Sequence, residues 1–94
     1  MQRVILKGYI IVPDADLVDV KEELPVHIDS TRNEKGCLVF EVAQDEKVRN
    51  MFHVYEEFSN RVAFTAHQDR VRRSKWGLIT RNVERFYEVT GLNE

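Results

Sequence analysis

Leu38-Val39-Phe40-Glu41-Val42-Ala43-Gln44, a polar stretch over 45–50, and Met51-Phe52-His53-Val54-Tyr55-Glu56-Glu57-Phe58 together read as a β-hairpin. Two runs rich in β-branched and aromatic residues flank a turn-forming segment of medium length. Alternation places Leu38, Phe40 and Val42 on one face of the first strand, opposite Val39, Glu41 and Ala43. In the second strand Phe52, Val54, Glu56 and Phe58 share a face.

Outward from the hairpin, each flank adds one helix and one strand. On the N-terminal side Asp14 and Asp16 offer N-caps. Leu17, Val20, Leu24 and Ile28 then recur at helical spacing. Pro25 lacks an N–H and crowds the preceding turn, so a kink or break is expected near Leu24, with helix resuming to about Glu34. Gly36 is suited to a left-handed C-cap. Before this helix, residues 4–12 read as a strand ended by Pro13, with Val4, Leu6, Gly8, Ile10 and Val12 on one face. On the C-terminal side Ser59 or Asn60 caps a helix whose inner stripe is Phe64, His67 and Val71. Its end carries Arg70, Arg72, Arg73 and Lys75, either a solvated C-terminus that suits the dipole or a positive rim to a pocket. Trp76 to Ile79 reads as a short helical turn or lid, and a last strand runs from about Val83 to Val89, ended by Gly91.

The order βαββαβ predicts an α+β fold of the ferredoxin-like split type, with residues 1–94 as one domain. Two helices should cover one face of a four-stranded antiparallel sheet. The other face would carry Lys7, Tyr9, Glu41, His53, Tyr55 and Glu57. Such a face is too aromatic to leave bare and too charged for a core. Two copies packed sheet to sheet would cover it and let lysine and glutamate pair across the interface, so a homodimer is expected.

Two polar residues fall where the pattern wants apolar ones. Glu56 points toward the helices, and His67 lies between Phe64 and Val71. A buried carboxylate needs a partner or a proton, and a histidine can be that partner. The pair is either a structural hydrogen bond or an acid–base site. His27 lies close to the first helix's apolar stripe, as a core-edge residue or a second proton carrier. These three residues are scattered, without the short His-x-x-x-His spacing of a zinc site, so no metal is expected. Gly8 on the inward face leaves a side-chain gap; with Phe40, Phe58 and Trp76 nearby it could floor an apolar pocket, unless the aromatics fill it. Cys37 is the one cysteine, which excludes an internal disulfide and reads as a small hydrophobe.

The bulk numbers agree with a small globular domain. Of 94 residues, 43% are hydrophobic and 32% charged, a globular rather than a disordered balance. A net charge of −2 gives no general pull toward nucleic acid or anionic membrane. The chain has neither the apolar run of a membrane helix nor a signal-peptide pattern, so a cytoplasmic protein is expected. No phosphate loop, dinucleotide fingerprint, nucleophile elbow or RNA-binding aromatic strand motif occurs.

Three ordered stretches resemble the antibiotic biosynthesis monooxygenase superfamily: residues 31–45, residues 52–58, and Ala63-Phe64-Thr65-Ala66-His67-Gln68. The resemblance covers most of the chain, from the first strand to Tyr87. It implies a dimer whose sheets form an α/β barrel, with a pocket between helices and sheet where His67, Glu56 and Gly8 converge. It also implies a class of chemistry: cofactor-free oxygenation of aromatic phenols, or quinol oxidation, on a small aromatic substrate with O₂. His67 would then be the base, Glu56 its orienting partner and His27 a second proton carrier. Phe40, Phe58, Trp76 and Gly8 would hold the ring. A haem-degrading branch carries a tryptophan where this chain has His67, an iron-ligating histidine in the segment that offers Trp76, and an asparagine near Gly8; these departures argue against haem. An isomerase of a phosphorylated signal would need an inward-facing lysine or arginine, and none is expected. A non-catalytic binding domain is the remaining alternative.

Overall fold

The computed structural model describes residues 2–92. Met1, Asn93 and Glu94, included in the expected 1–94 domain, lie outside them. The elements are β1 (Val4–Ile11), a 3-10 turn (Asp14–Asp16), α1 (Leu17–Arg32), β2 (Cys37–Gln44), β3 (Met51–Phe58), α2 (Arg61–Arg72), α3 (Lys75–Ile79) and β4 (Glu84–Thr90). The four strands form one sheet in the order β2-β3-β1-β4, every neighbouring pair antiparallel. This is the ferredoxin-like arrangement the element order predicts.

The expected α/β barrel is corrected. No pairing joins β2 to β4, so the sheet is open with these two strands as its edges. Four twisted strands are about half of what small closed barrels use.

The inner face of the sheet meets the helices. Val4, Leu6, Ile10, Phe52, Val54 and Phe58 are buried there, with Leu17 and Val20 of α1, Phe64 of α2 and Trp76 of α3 packed on them. Phe40 is buried, but Leu38 is 47% exposed because a bulge at Cys37–Val39 turns it from the shared face.

Three local expectations change. α1 runs unbroken through Pro25. Both Lys21 and Pro25 are exposed, so the Lys21 carbonyl that loses its N–H partner can bond to water instead. The buried stripe of α1 continues from Val20 to His27 and Thr31 rather than to Ile28. Asp16 occupies the N-cap position without a side-chain cap bond, while the Asp14 carboxylate accepts hydrogen bonds from Arg49 and Asn50. In α2, Asn60 is the cap: its side chain accepts from the Ala63 N–H at 2.9 Å. Gly36 does take a positive φ of 89°, at the entry to β2 rather than at the helix cap, which is Asn33.

The outer face carries a stacked Tyr9–Phe86 pair with ring centroids 4.9 Å apart. Its charges pair within the chain. Lys7 meets Glu88 at 3.6 Å, and Glu57 meets Arg3 at 3.2 Å while accepting the Tyr55 hydroxyl at 2.5 Å. No described helix is long and apolar enough to cross a membrane.

Candidate functional site

A cavity of about 270 Å³ lies between the helices and the inner sheet face. Apolar residues such as Leu6, Phe40, Val54, Phe64 and Trp76 make up just over half of its lining, and His27, Glu56, His67, Gln68, Thr80, Arg85 and Tyr87 supply its polar groups. β4 is exposed along its length, so the cavity opens toward that edge.

α2 delivers His67 by the Phe64–His67–Val71 spacing. The imidazole is 4% exposed and its Nδ1–H donates to Glu34 Oε1 at 2.6 Å. Glu34 is held in turn: Arg70 Nε donates to its second oxygen at 2.9 Å, and Arg70 Nη2 donates to the buried Thr31 hydroxyl at 3.0 Å. Burial lowers the pKa of His67 from its usual value, against the opposing pull of Glu34. A neutral ring whose Nδ1 carries the proton leaves Nε2 as a free base.

Glu56 is buried as its strand face predicts, 6% exposed. Its Oε1 lies 3.9 Å from His67 Nε2, beyond hydrogen-bond reach. Glu34, not Glu56, is therefore the residue that orients His67. Burial and the nearby Glu34 charge push the Glu56 carboxyl up to about 7, so it can hold a proton and donate a hydrogen bond near neutrality.

His27 is 5% exposed and stacks on Trp76, centroids 4.4 Å apart and 6° from parallel. Burial, followed by the charges of His67 and Arg70, pushes its pKa down to about 3, so it is a neutral ring. Among the described residues, the buried side-chain polar atoms without a hydrogen-bond partner are His27 Nδ1 and Glu56 Oε1. Both residues line this cavity.

The fold thus brings His67, Glu56, His27, Phe40 and Trp76 to one cavity. Phe58 sits behind it, fully buried with its ring centroid 4.9 Å from that of His67, and is not on the wall. Gly8 is not on the wall either. A Cβ there would meet the Phe86 carbonyl oxygen at 1.9 Å, and φ is +154°. The gap at Gly8 is filled by the backbone of β4, so this glycine serves strand approach rather than a pocket floor.

Sequence reasoning missed Glu34, Tyr87 and Arg85. Arg85 lines the cavity from β4 and corrects the expectation of no inward cation. Tyr87 also lines it; the residue is 38% exposed, but desolvation of its phenol, with the Glu56 charge, pushes that group up to about 12. No group of three or more His, Cys, Asp or Glu side chains among the described residues could hold a metal ion.

Residues 4–76 match the model of the family described as antibiotic biosynthesis monooxygenase. The chain belongs to this family. No curated protein matches it. Among solved structures, it resembles one from Bacteroides thetaiotaomicron that carries the family's name provisionally, at TM-score 0.78 and 19% identity, covering 99% of this chain and 90% of that one. A second, from Deinococcus radiodurans and named in the same provisional way, matches at TM-score 0.72 and 20% identity over 97% and 93%. MupZ from Pseudomonas fluorescens matches at TM-score 0.78 and 20% identity over 99% and 74%. At these identities the structural likeness shows the antibiotic biosynthesis monooxygenase fold, and the family link to monooxygenases rests on the 4–76 match.

Proposed function

We propose that this protein is a monooxygenase or quinol oxidase that acts on a small aromatic or quinol-like substrate with no metal or flavin. The observation that carries this reading is the pair of unpartnered buried atoms, His27 Nδ1 and Glu56 Oε1, beside the free Nε2 of His67 in one apolar cavity. Burying polar atoms unpaired is costly, and a flat ligand bearing hydroxyl and carbonyl groups would satisfy them.

His67 Nε2 takes a proton from the bound ring, with Glu34 holding the imidazole and stabilising the cation that forms. The resulting electron-rich anion reduces O₂ directly. For a ring CH₂ the balance is one O₂ in, C=O and water out. Glu56, carrying a proton, donates a hydrogen bond to the oxygen that gains charge, and Phe40 and Trp76 exclude water and hold the ring.

The test is oxygen uptake with a panel of hydroquinones and anthrones. Uptake that survives chelation and needs no added flavin supports the oxygenase. Solvent proton exchange into a bound carbonyl compound without uptake would point to an isomerase, and tight binding without either to a binding domain.

The protein is also proposed to work as a homodimer through the outer sheet face, where Phe86 is 45% exposed beside the half-buried Tyr9 and Tyr55. Light scattering at micromolar concentration should give twice the chain mass; a monomer there would end this proposal.

A further inference from the structure

We infer that Arg85 forms an anion-binding subsite, so that the preferred substrate is an elongated aromatic carrying a carboxylate or similar anion at the end opposite its reactive hydroxyl. The inference rests on reading this cavity as an aromatic-substrate site.

Sheet register fixes the layout. Glu56 pairs with Leu6 of β1, whereas Arg85 pairs with Ile10. Four residues of extended chain place the two about 13 Å apart along the strand direction. They also lie on opposite sides of β1, two strand spacings apart, or about 10 Å. Backbone register therefore separates Glu56 from Arg85 along and across the sheet, with the Tyr87 phenol, which feels both the Glu56 charge and the Arg85 guanidinium, between them.

Arg85 is the one lysine or arginine on the cavity wall among the described residues. No carboxylate of the described residues lies within ion-pairing distance of it. Its carboxylate neighbours on β4, Glu84 and Glu88, alternate to the other face. Yet the side chain is braced. Nη2 donates to the Thr80 carbonyl at 3.3 Å and the Thr80 hydroxyl at 3.2 Å, and Thr80, 1% exposed, is itself tied to the Trp76 carbonyl at 2.6 Å. The guanidinium also interacts with the Tyr87 phenol. A charge held in place by neutral partners, exposed at the open edge of an apolar cavity, is preorganised for an incoming anion.

Calorimetric titration of the intact protein with 6-hydroxy-2-naphthoate and with its methyl ester tests this. The wild type should bind the acid about tenfold tighter, the worth of one charge-assisted contact. Arg85→Gln should erase that ratio by weakening acid binding while leaving ester binding in place, and Arg85→Lys should retain part of it. A role confined to bracing Thr80 would lower both affinities together and leave the ratio alone. That result, a ratio near one in the wild type, or no binding of either compound overturns the subsite. If Arg85→Gln fails to fold by circular dichroism, the wild-type ratio and its reduction in Arg85→Lys decide. Acid preference without oxygen uptake on any phenol would defeat the oxygenase reading and keep the subsite; uptake on neutral phenols without acid preference would do the reverse.

Discussion

His67–Glu34 and His53–Asp45 are both imidazole–carboxylate contacts, at 2.6 Å through Nδ1 and at 2.7 Å through Nε2, set in two different surroundings. In the first the side chains are 4% and 16% exposed; in the second, on the outer face and its hairpin loop, 56% and 24%. At the outer pair the His53 bond and the backbone N–H groups of Val48 and Lys47 pull the Asp45 carboxyl down to about 2, but water competes for every one of those bonds. At the inner pair water has little access, the acceptor is itself clamped by Arg70, and the imidazole lines a cavity. Distance alone does not separate a surface contact from a candidate base. Burial and what lies on the far side of the ring do.

The largest effect should come from removing each imidazole in turn. His67→Ala is expected to cut turnover per folded protein by roughly 10²–10⁴-fold, the usual worth of a general base. His53→Ala should leave it unchanged. Steady-state oxygen uptake, normalised to folded protein, measures both. A His67→Ala variant as fast as wild type would pass the base role to His27 or end the oxygenase reading of this cavity.

The next effect concerns pH and belongs to Glu56 and His27, which share the cavity with His67 of the inner pair. The folded pKa of Glu56 is raised from 4.5 to about 7. Its stabilising contribution is therefore full below pH 4.5 and is lost as pH rises through 7, a change of about 3 kcal/mol. His27, lowered from 6.5 to about 3, acts in the opposite sense. Its contribution is full above pH 6.5 and is lost as pH falls toward 3. Comparing Glu56→Gln with wild type cancels the His27 part, since both proteins carry it. The variant should gain about 3 kcal/mol relative to wild type between pH 4.5 and 7 in urea unfolding. A difference that stays flat across that window would mean the carboxylate reaches water.

The strand faces were legible because side-chain alternation has a period of two and the hairpin's polar loop fixes where each strand begins. Phe52, Val54, Glu56 and Phe58 are all buried as their shared face requires. The cavity's far side was not legible. Glu34 sits in a polar run that looks like any solvated helix end, and its partner is 33 residues away. On β4 both alternating sets, Glu84-Phe86-Glu88 and Arg85-Tyr87-Val89, mix charge with apolar area, so alternation could not say which faces inward. Gly8 failed for a third reason. A missing side chain reads as space, but here the neighbouring backbone occupies it.

The smallest effect is the coupling within each pair, and it isolates burial from distance most directly. Glu34→Ala leaves the His67 Nδ1–H and the Arg70 Nε–H without their acceptor in a site that water reaches poorly, an expected loss of about 1–3 kcal/mol. Part of that loss vanishes when His67 is already alanine, because one of the stranded donors is then gone. A double-mutant cycle over Glu34 and His67 should therefore give a clear coupling energy that added salt barely changes. The matching cycle over Asp45 and His53 should give little, and that little should fade as salt rises, because each partner regains water when the other is removed. Asp45→Ala alone still loosens the hairpin loop by freeing the Lys47 and Val48 N–H groups, but that loss is common to both backgrounds and drops out of the cycle. Equal couplings in the two cycles would mean that the 2.6 Å and 2.7 Å contacts are equivalent after all. In that case Glu34 would be a surface partner of His67, with no part in holding its free nitrogen toward the cavity.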